Sequence, residues 1–213
     1  MAPFIESELI EWLENDYGET RKTFPANTIF PFVEEKIILV LGGILHLEND
    51  SGSEQRILTY LKGFYLLDLD ALFEGTPREI TLISDTEVEI IEIDRDIFLR
   101  YALKKPSYME LVLVSHARVL SKIYTESSKI YKKTSLKVKN ALQNLYNDDI
   151  LMMSDKESGW YGIPDFMTKK GLASYAQVSR KTLSMEIRKL EQNNSLKFID
   201  NQMFINPQFL WQT

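Results

Sequence analysis

The chain has no cysteine, which excludes a disulfide-stapled scaffold, a thiolate zinc site, a cysteine-ligated iron–sulfur cluster and a cysteine nucleophile. Histidine is nearly absent as well. His46 and His116 are the only two, and neither stands in a recognisable haem-ligating or multi-histidine metal setting. There is no long apolar run: the longest, Ile37 to Leu47, is broken by Gly42-Gly43 and falls far short of the ~20 residues a membrane span needs. The opening Met1-Ala2-Pro3-Phe4-Ile5-Glu6 lacks a basic segment followed by an apolar stretch, so the sequence predicts no signal peptide, no membrane association and a cytoplasmic location. What is present excludes disorder: of 213 residues, 44% are apolar and 11% aromatic, enough for one large domain or two small ones with real cores.

Charge is unevenly placed. The net charge of −6 divides into −11 over residues 1–106 and +5 over residues 107–213. An acidic body joined to a basic half is the pattern of a chain that meets a polyanion with one end.

Residues 20 to 94 read as short strands separated by turns. Lys36-Ile37-Ile38-Leu39-Val40-Leu41 ends at Gly42-Gly43, Ile44-Leu45-His46-Leu47 resumes, and Glu48 to Ser53 supplies a hairpin loop before Arg56 to Leu61 returns. Glu79 to Ile83 and Glu87 to Ile93 alternate polar with apolar. Strands at this spacing predict an antiparallel sandwich or barrel. After Asp94 the period changes. A short helix holds Ile97-Phe98-Leu99, and Pro106 opens a glycine-free stretch from Ser107 to Lys133. Met109, Leu113, His116, Leu120, Ile123, Ser127 and Ile130 recur every seven residues in it, as in a helix that pairs with a second copy. The alternative is a core helix lying on the β domain. At about 1.5 Å per residue the helix reaches ~40 Å, more than a small sheet covers, which favours the homodimer. Lys132 to Ser135 then reads as a break, with Thr134 or Ser135 capping a helix whose apolar face is Leu136, Val138, Leu142 and Leu145. Short strands follow at Ile150 to Met153 and Trp160 to Ile163. The resulting division is 1–106, 107–133 and 134–213.

The chemistry concentrates between Phe166 and Phe198. Thr168 is placed to cap a short helix containing Leu172, Ala173 and Ala176; Gln177-Val178 turns; Ser179 caps a second helix. Leu183, Ile187 and Leu190 form the inward stripe of that helix, and Arg180, Lys181, Ser184, Met185 and Arg188 its outer face. The segment carries seven Lys/Arg against two Glu, a local +5 in an acidic protein. Leu196 to Ile199, Asp200-Asn201-Gln202 and Met203 to Ile205 form a hairpin. An αα-hairpin with a solvated basic face would explain part of this. Helix, turn, capped helix and hairpin together point to double-stranded DNA, the second helix entering the major groove. Thr168, Ser179 and Thr182 suit phosphate contact beside Lys169, and Arg180 and Lys181 suit guanine edges.

These features together resemble the cyclic-AMP receptor protein / fumarate–nitrate regulator (CRP/FNR) family of bacterial transcription factors, over roughly residues 20 to 206. Val178-Ser179-Arg180-Lys181-Thr182-Leu183 is similar to the start of that family's recognition helix, Ile57 to Leu61 followed by Gly63 to its strand and turn before the effector pocket, and Gly42 to its strand-linking glycine. The resemblance implies an α+β fold: an N-terminal antiparallel β-roll like a cyclic-nucleotide-binding jelly roll, a long dimerisation helix and a C-terminal winged helix-turn-helix. It implies a homodimer on a near-palindromic operator, RNA polymerase as a partner, no cofactor and no enzymatic activity. Arg180, Lys181 and Met185 take base-reading positions. An effector pocket would involve Tyr60, Leu67, Asp68, Leu69, Arg78, Glu79, Ile123 and Tyr124. Nucleotide-binding members have a Gly-Glu-Leu turn and an Arg followed by Ser or Thr. Here Leu67-Asp68-Leu69 and Arg78-Glu79 stand instead, so that Glu79 would face a ligand phosphate and Leu67 fills the glycine's place. The expected effector is therefore a small ligand other than cyclic AMP, or none. Two other classes fit less well: a cupin-like metal enzyme using His46, Asp68, Asp70 and Glu74, and a protein-interaction module.

Overall fold

The computed structural model describes residues 3–30, 35–50, 55–72, 80–154 and 159–211. α1 (Pro3–Glu11) and a π-helical turn over Trp12–Asp16 precede β1 (Lys22–Phe24), β2 (Ile29–Phe30), β3 (Lys36–Gly42), β4 (Ile44–Asp50), β5 (Gln55–Lys62), β6 (Tyr65–Leu67), α2 (Leu69–Leu72), β7 (Ile80–Ser84) and β8 (Val88–Asp94). The strands form two antiparallel sheets ordered β1-β8-β3-β6 and β2-β7-β4-β5. Side chains alternate across a strand, so β3 sends Ile38 and Val40 into the core between the sheets and Ile37 and Leu39 to the opposite face. That face is covered by Leu9, Phe98, Tyr108 and Leu111 from three helices and by Leu13 of the π-helical turn. A strand covered on both sides has no wet positions, which is why this one reads as a continuous apolar run. β3 turns into β4 at Gly43, with φ +94; a Cβ there would lie 2.5 Å from the Glu87 carbonyl oxygen. Glycine is thus required at Gly43, while Gly42, the expected strand-linking residue, has open space around it.

Asp94 caps α3 (Arg95–Lys104) by accepting from the Ile97 N–H at 3.1 Å, and Pro106 opens α4 (Pro106–Ser127). α4 buries Tyr108, Leu111, Val112, Ser115 and Val119 against the β-roll. Its open face carries Leu113, Leu120 and Tyr124, 61%, 49% and 78% exposed, with Ala117 between them. Of the predicted seam, Leu113, Leu120 and Ser127 are exposed, and Met109, His116 and Ile123 are half-buried. Met109 and Ile123 pack against the roll's apolar clusters, and His116 turns inward to accept the Asp68 N–H through Nε2 at 3.1 Å. The two rows of the seven-residue repeat lie side by side, one at the edge of the roll and one open, and the open face runs through Leu113, Ala117, Leu120 and Tyr124. The Ile130 side chain lies outside the described residues.

His116 has a pH consequence. Burial lowers its pKa from the usual 6.5, against a smaller opposing pull from Asp68. A base whose pKa falls on folding binds fewer protons in the folded state, so its share of stability is whole above about pH 6.5 and is lost as pH falls through the lowered value. Chemical denaturation of wild type and His116→Gln across pH 5 to 8 should show this contribution to the slope in wild type alone.

A 3₁₀ turn over Ser128–Tyr131 and the break at Lys132-Lys133 lead to α5 (Thr134–Asn147). The expected cap is displaced: Lys133 holds the extended N-cap backbone without a side-chain bond, so Thr134 is already helical. α5 buries Val138, Ala141, Leu142 and Leu145, leaving Leu136 exposed. Then follow β9 (Met152–Met153), β10 (Tyr161–Gly162), α6 (Lys169–Tyr175), α7 (Arg180–Gln192), β11 (Leu196–Ile199), β12 (Gln202–Ile205) and α8 (Pro207–Trp211). The four strands form a sheet ordered β11-β12-β10-β9. Their core takes in Leu172, Leu183, Ile187 and Leu196, and also Ile44, Ile57 and Tyr60 from the β-roll. No described helix is long and apolar enough to cross a membrane.

Candidate nucleic-acid interface

α6 and α7 are set by local signals. Thr168 Oγ1 accepts the Gly171 N–H at 3.0 Å, and Ser179 Oγ accepts the Thr182 N–H at 3.1 Å, so each helix starts at a satisfied donor. Between them Gln177 adopts φ +54, and the Val178 N–H returns to the Ala173 carbonyl at 3.0 Å. Buried Ala173 and Ala176 let the helices approach closely, and Leu183 and Ile187 anchor α7 from below. The outer face of α7 is left to Arg180, Lys181, Ser184, Met185 and Arg188, all exposed. Ser184 Oγ donates to the Arg180 carbonyl at 2.9 Å, keeping its lone pairs outward. Among the described residues Arg180, Lys181 and Arg188 make no salt bridge, while Glu186 is neutralised by Lys189 at 2.7 Å.

β11 and β12 meet at Asp200 and Asn201, with φ of +50 and +65, the paired positive values of a tight hairpin turn. Lys169 Nζ lies over the Phe198 ring at 5.1 Å and Lys197 Nζ over the Trp160 ring at 4.0 Å, so cations flank the hairpin. The expected DNA-contacting set, Thr168, Lys169, Ser179, Arg180, Lys181, Thr182, Ser184, Met185 and Arg188, is thus gathered on two capped helices and their turn.

Of the expected effector residues, three lie together and two others point elsewhere. Leu67 and Leu69 sit in the core between the sheets, with Ile123 against it. Tyr124 points to solvent. Tyr60 faces the other way: it pairs with His46 on the outer face of the sheet, and the register shift after Leu47, a bulge, brings Ile57 to that same face. There Tyr60 is buried beside His46, Phe166 and Tyr175, and burial raises its pKa well above the usual 10. Asp68 is engaged within the protein, accepting the Ala71 N–H at 3.1 Å and pairing with Arg95 at 2.7 Å. Arg78 and Glu79 lie outside the described residues.

The residues of the metal-site alternative are also dispersed. His46 bonds Asp85 at 2.8 Å on the outer face of the second sheet, whereas Asp68 follows β6 in the first. Glu74 and the Asp70 side chain lie outside the described residues. Among the described residues no group of three or more histidine, aspartate or glutamate side chains is arranged to hold a metal ion.

One cluster carried no local sequence signal. Glu126 and Lys129 are buried as an ion pair beside Tyr175 and Asn144. Its only trace is the position of Glu126 seven residues after buried Val119, on the inward row of α4.

No protein-family model matches the chain, and no curated protein matches it by sequence. Solved structures do. A cyclic nucleotide-binding domain containing protein from Listeria monocytogenes EGD-e superposes with a TM-score of 0.77 at 21% identity, over 97% of this chain and 98% of that one. The c-di-GMP responsive global regulator CLP of Xanthomonas campestris gives 0.74 at 17% identity, over 97% and 99%. A transcriptional regulator of the CRP/FNR family from Thermus thermophilus gives 0.71 at 14% identity, over 91% and 99%. Each superposition spans nine-tenths or more of both chains, and the chain therefore has the fold of the CRP/FNR transcriptional regulators.

Proposed function

We propose that the protein is a sequence-specific DNA-binding transcription regulator, a cytoplasmic homodimer that presents two winged helix-turn-helix units to a near-palindromic operator. The observation that carries this reading is the outer face of α7: three exposed cations that make no salt bridge among the described residues, a hydroxyl and an exposed methionine on a helix capped at Ser179 and anchored by Leu183 and Ile187. A helix so built fits the major groove, with its N-terminal residues at base edges and its capped end at a phosphate. Two copies related by a two-fold axis place half-sites about 34 Å apart. The open row Leu113, Ala117, Leu120 and Tyr124 is the surface that pairs them. RNA polymerase is the expected protein partner, and the chain works without enzymatic chemistry. The internal engagement of Asp68 supports an effector other than cyclic AMP, or none.

Genome-wide immunoprecipitation of the protein on its own chromosome tests the reading and yields the operator; scattered signal without a shared palindrome would overturn it. On that operator, Arg180→Ala should cost ~1 to 3 kcal/mol and relax base preference at one position, whereas Lys169→Ala should weaken all sequences alike and flatten the salt dependence. Equal, sequence-blind losses measured by titration would contradict these roles.

A further inference from the structure

α7 carries one large apolar side chain on a face whose other members are polar. Met185 is 51% exposed, while Leu183 and Ile187, two residues to either side, are buried and anchor the helix without it. Lys181 lies one turn before Met185 and Arg188 one turn after, since residues three and four apart are neighbours on a helix. Helical side chains lean toward the N-terminus. The thioether of Met185 therefore covers the surface beside Lys181 and Thr182, toward the end of α7 that is capped at Ser179.

The rest of that face consists of donors. Arg180, Lys181 and Arg188 are exposed, and their side chains can only donate. Ser184 uses its hydroxyl proton on the Arg180 carbonyl at 2.9 Å, and the Ser179 and Thr182 hydroxyls bond each other at 2.7 Å. Glu186 is the one carboxylate in the first two turns; it is half-buried and held by Lys189 at 2.7 Å. In the major groove guanine offers two acceptors, adenine and cytosine each offer an amino donor, and thymine alone carries a methyl group. The cations match guanine. Apart from the Ser184 lone pairs, no outward side chain in these turns is placed to accept an amino group from adenine or cytosine. What remains for a second kind of base is the methionine, and of the four bases only thymine has an apolar group to meet it.

Resting on the DNA-binding reading above, we propose that Met185 is a specificity-determining residue that reads the 5-methyl group of a thymine in each half-site. Lys181 and Met185 are separated by about 6 Å along the helix axis, at about 1.5 Å per residue. With base pairs about 3.4 Å apart, that thymine lies about one or two base pairs from the guanine read at the start of α7. Selection of duplexes from a random-sequence pool by the full-length protein supplies the probe. Each thymine of the selected half-site is then replaced in turn by uracil, which lacks only the methyl group and keeps every hydrogen-bonding group. At one position the affinity of wild type should fall about fourfold for one half-site and about fifteenfold for both, as burial of one methyl-sized group implies. Met185→Ala should bind the thymine and uracil duplexes alike, and Met185→Leu should restore most of the difference. A side chain that merely supported the helix would change affinity for both duplexes equally. Wild type that is indifferent to uracil at every position overturns the proposal, and so does a uracil effect that persists in Met185→Ala. A pool from which wild type enriches no duplex overturns the DNA reading itself, and is thereby distinguished from failure of the methyl contact.

Discussion

Replacing Leu113 and Leu120 with glutamate should convert the protein to a monomer and reduce operator affinity by about 10²- to 10⁴-fold. Both residues project from the open face of α4, and no described part of the chain covers them. At a two-fold axis each substitution faces its own copy, so apolar burial is exchanged for like charges at close range. The loss of DNA affinity follows because two linked recognition units bind the second half-site as an intramolecular event, an advantage of that size without any added contact. Sedimentation measures the monomer, and an operator titration measures the loss. Helix content should not change, since the buried row Tyr108, Leu111, Val112 and Val119 is untouched. A variant that remains dimeric and binds as tightly would remove α4 as the pairing surface.

Glu126→Ala should be the most damaging single substitution to stability outside the apolar cores, at about 3 to 5 kcal/mol. Lys129, 1% exposed, would be left buried with the carboxylate gone, and Asn144 and Tyr175 would lose their shared acceptor. For a chain of this size that corresponds to a fall in Tm on the order of 10 °C, read by calorimetry. Combining Glu126→Ala with Lys129→Met should recover much of the loss, because the cost lies in the stranded Lys129 more than in the missing attraction. A loss below about 1 kcal/mol would mean that the pair is not buried in solution.

The parts of this molecule that were legible in the sequence are those with local causes. Thr168 and Ser179 cap helices because a hydroxyl three residues before a free N–H is a self-contained arrangement, and Leu183 and Ile187 announce which side of α7 is buried. The unbroken run Ile37 to Leu41 was readable as a strand for the same reason, though not its coverage on both faces. What was missed depends on residues distant in the chain. β1, β2 and β6 are two or three residues long and exist only through pairing with β8, β7 and β3. That Ile57 shares the outward face of Tyr60 follows from a bulge that single-strand alternation cannot register. A repeat of seven marks rows on a helix without saying which of them the sheet partly covers, so the half-burial of Met109, His116 and Ile123 beside the open Leu113 and Leu120 was not legible. The Glu126 cluster draws on Asn144, Tyr175 and Gln177, which no periodicity within α4 could supply.

The most direct test of the central claim is fluorescence anisotropy of purified protein with labelled duplex across a salt series. If α7 enters the major groove, log affinity should fall linearly with log salt, by about 0.9 for each phosphate neutralised, and Arg180→Ala with Lys181→Ala should reduce both the affinity and the slope. Duplex binding that is absent in dilute buffer, or present but indifferent to salt and to those two substitutions, would contradict it.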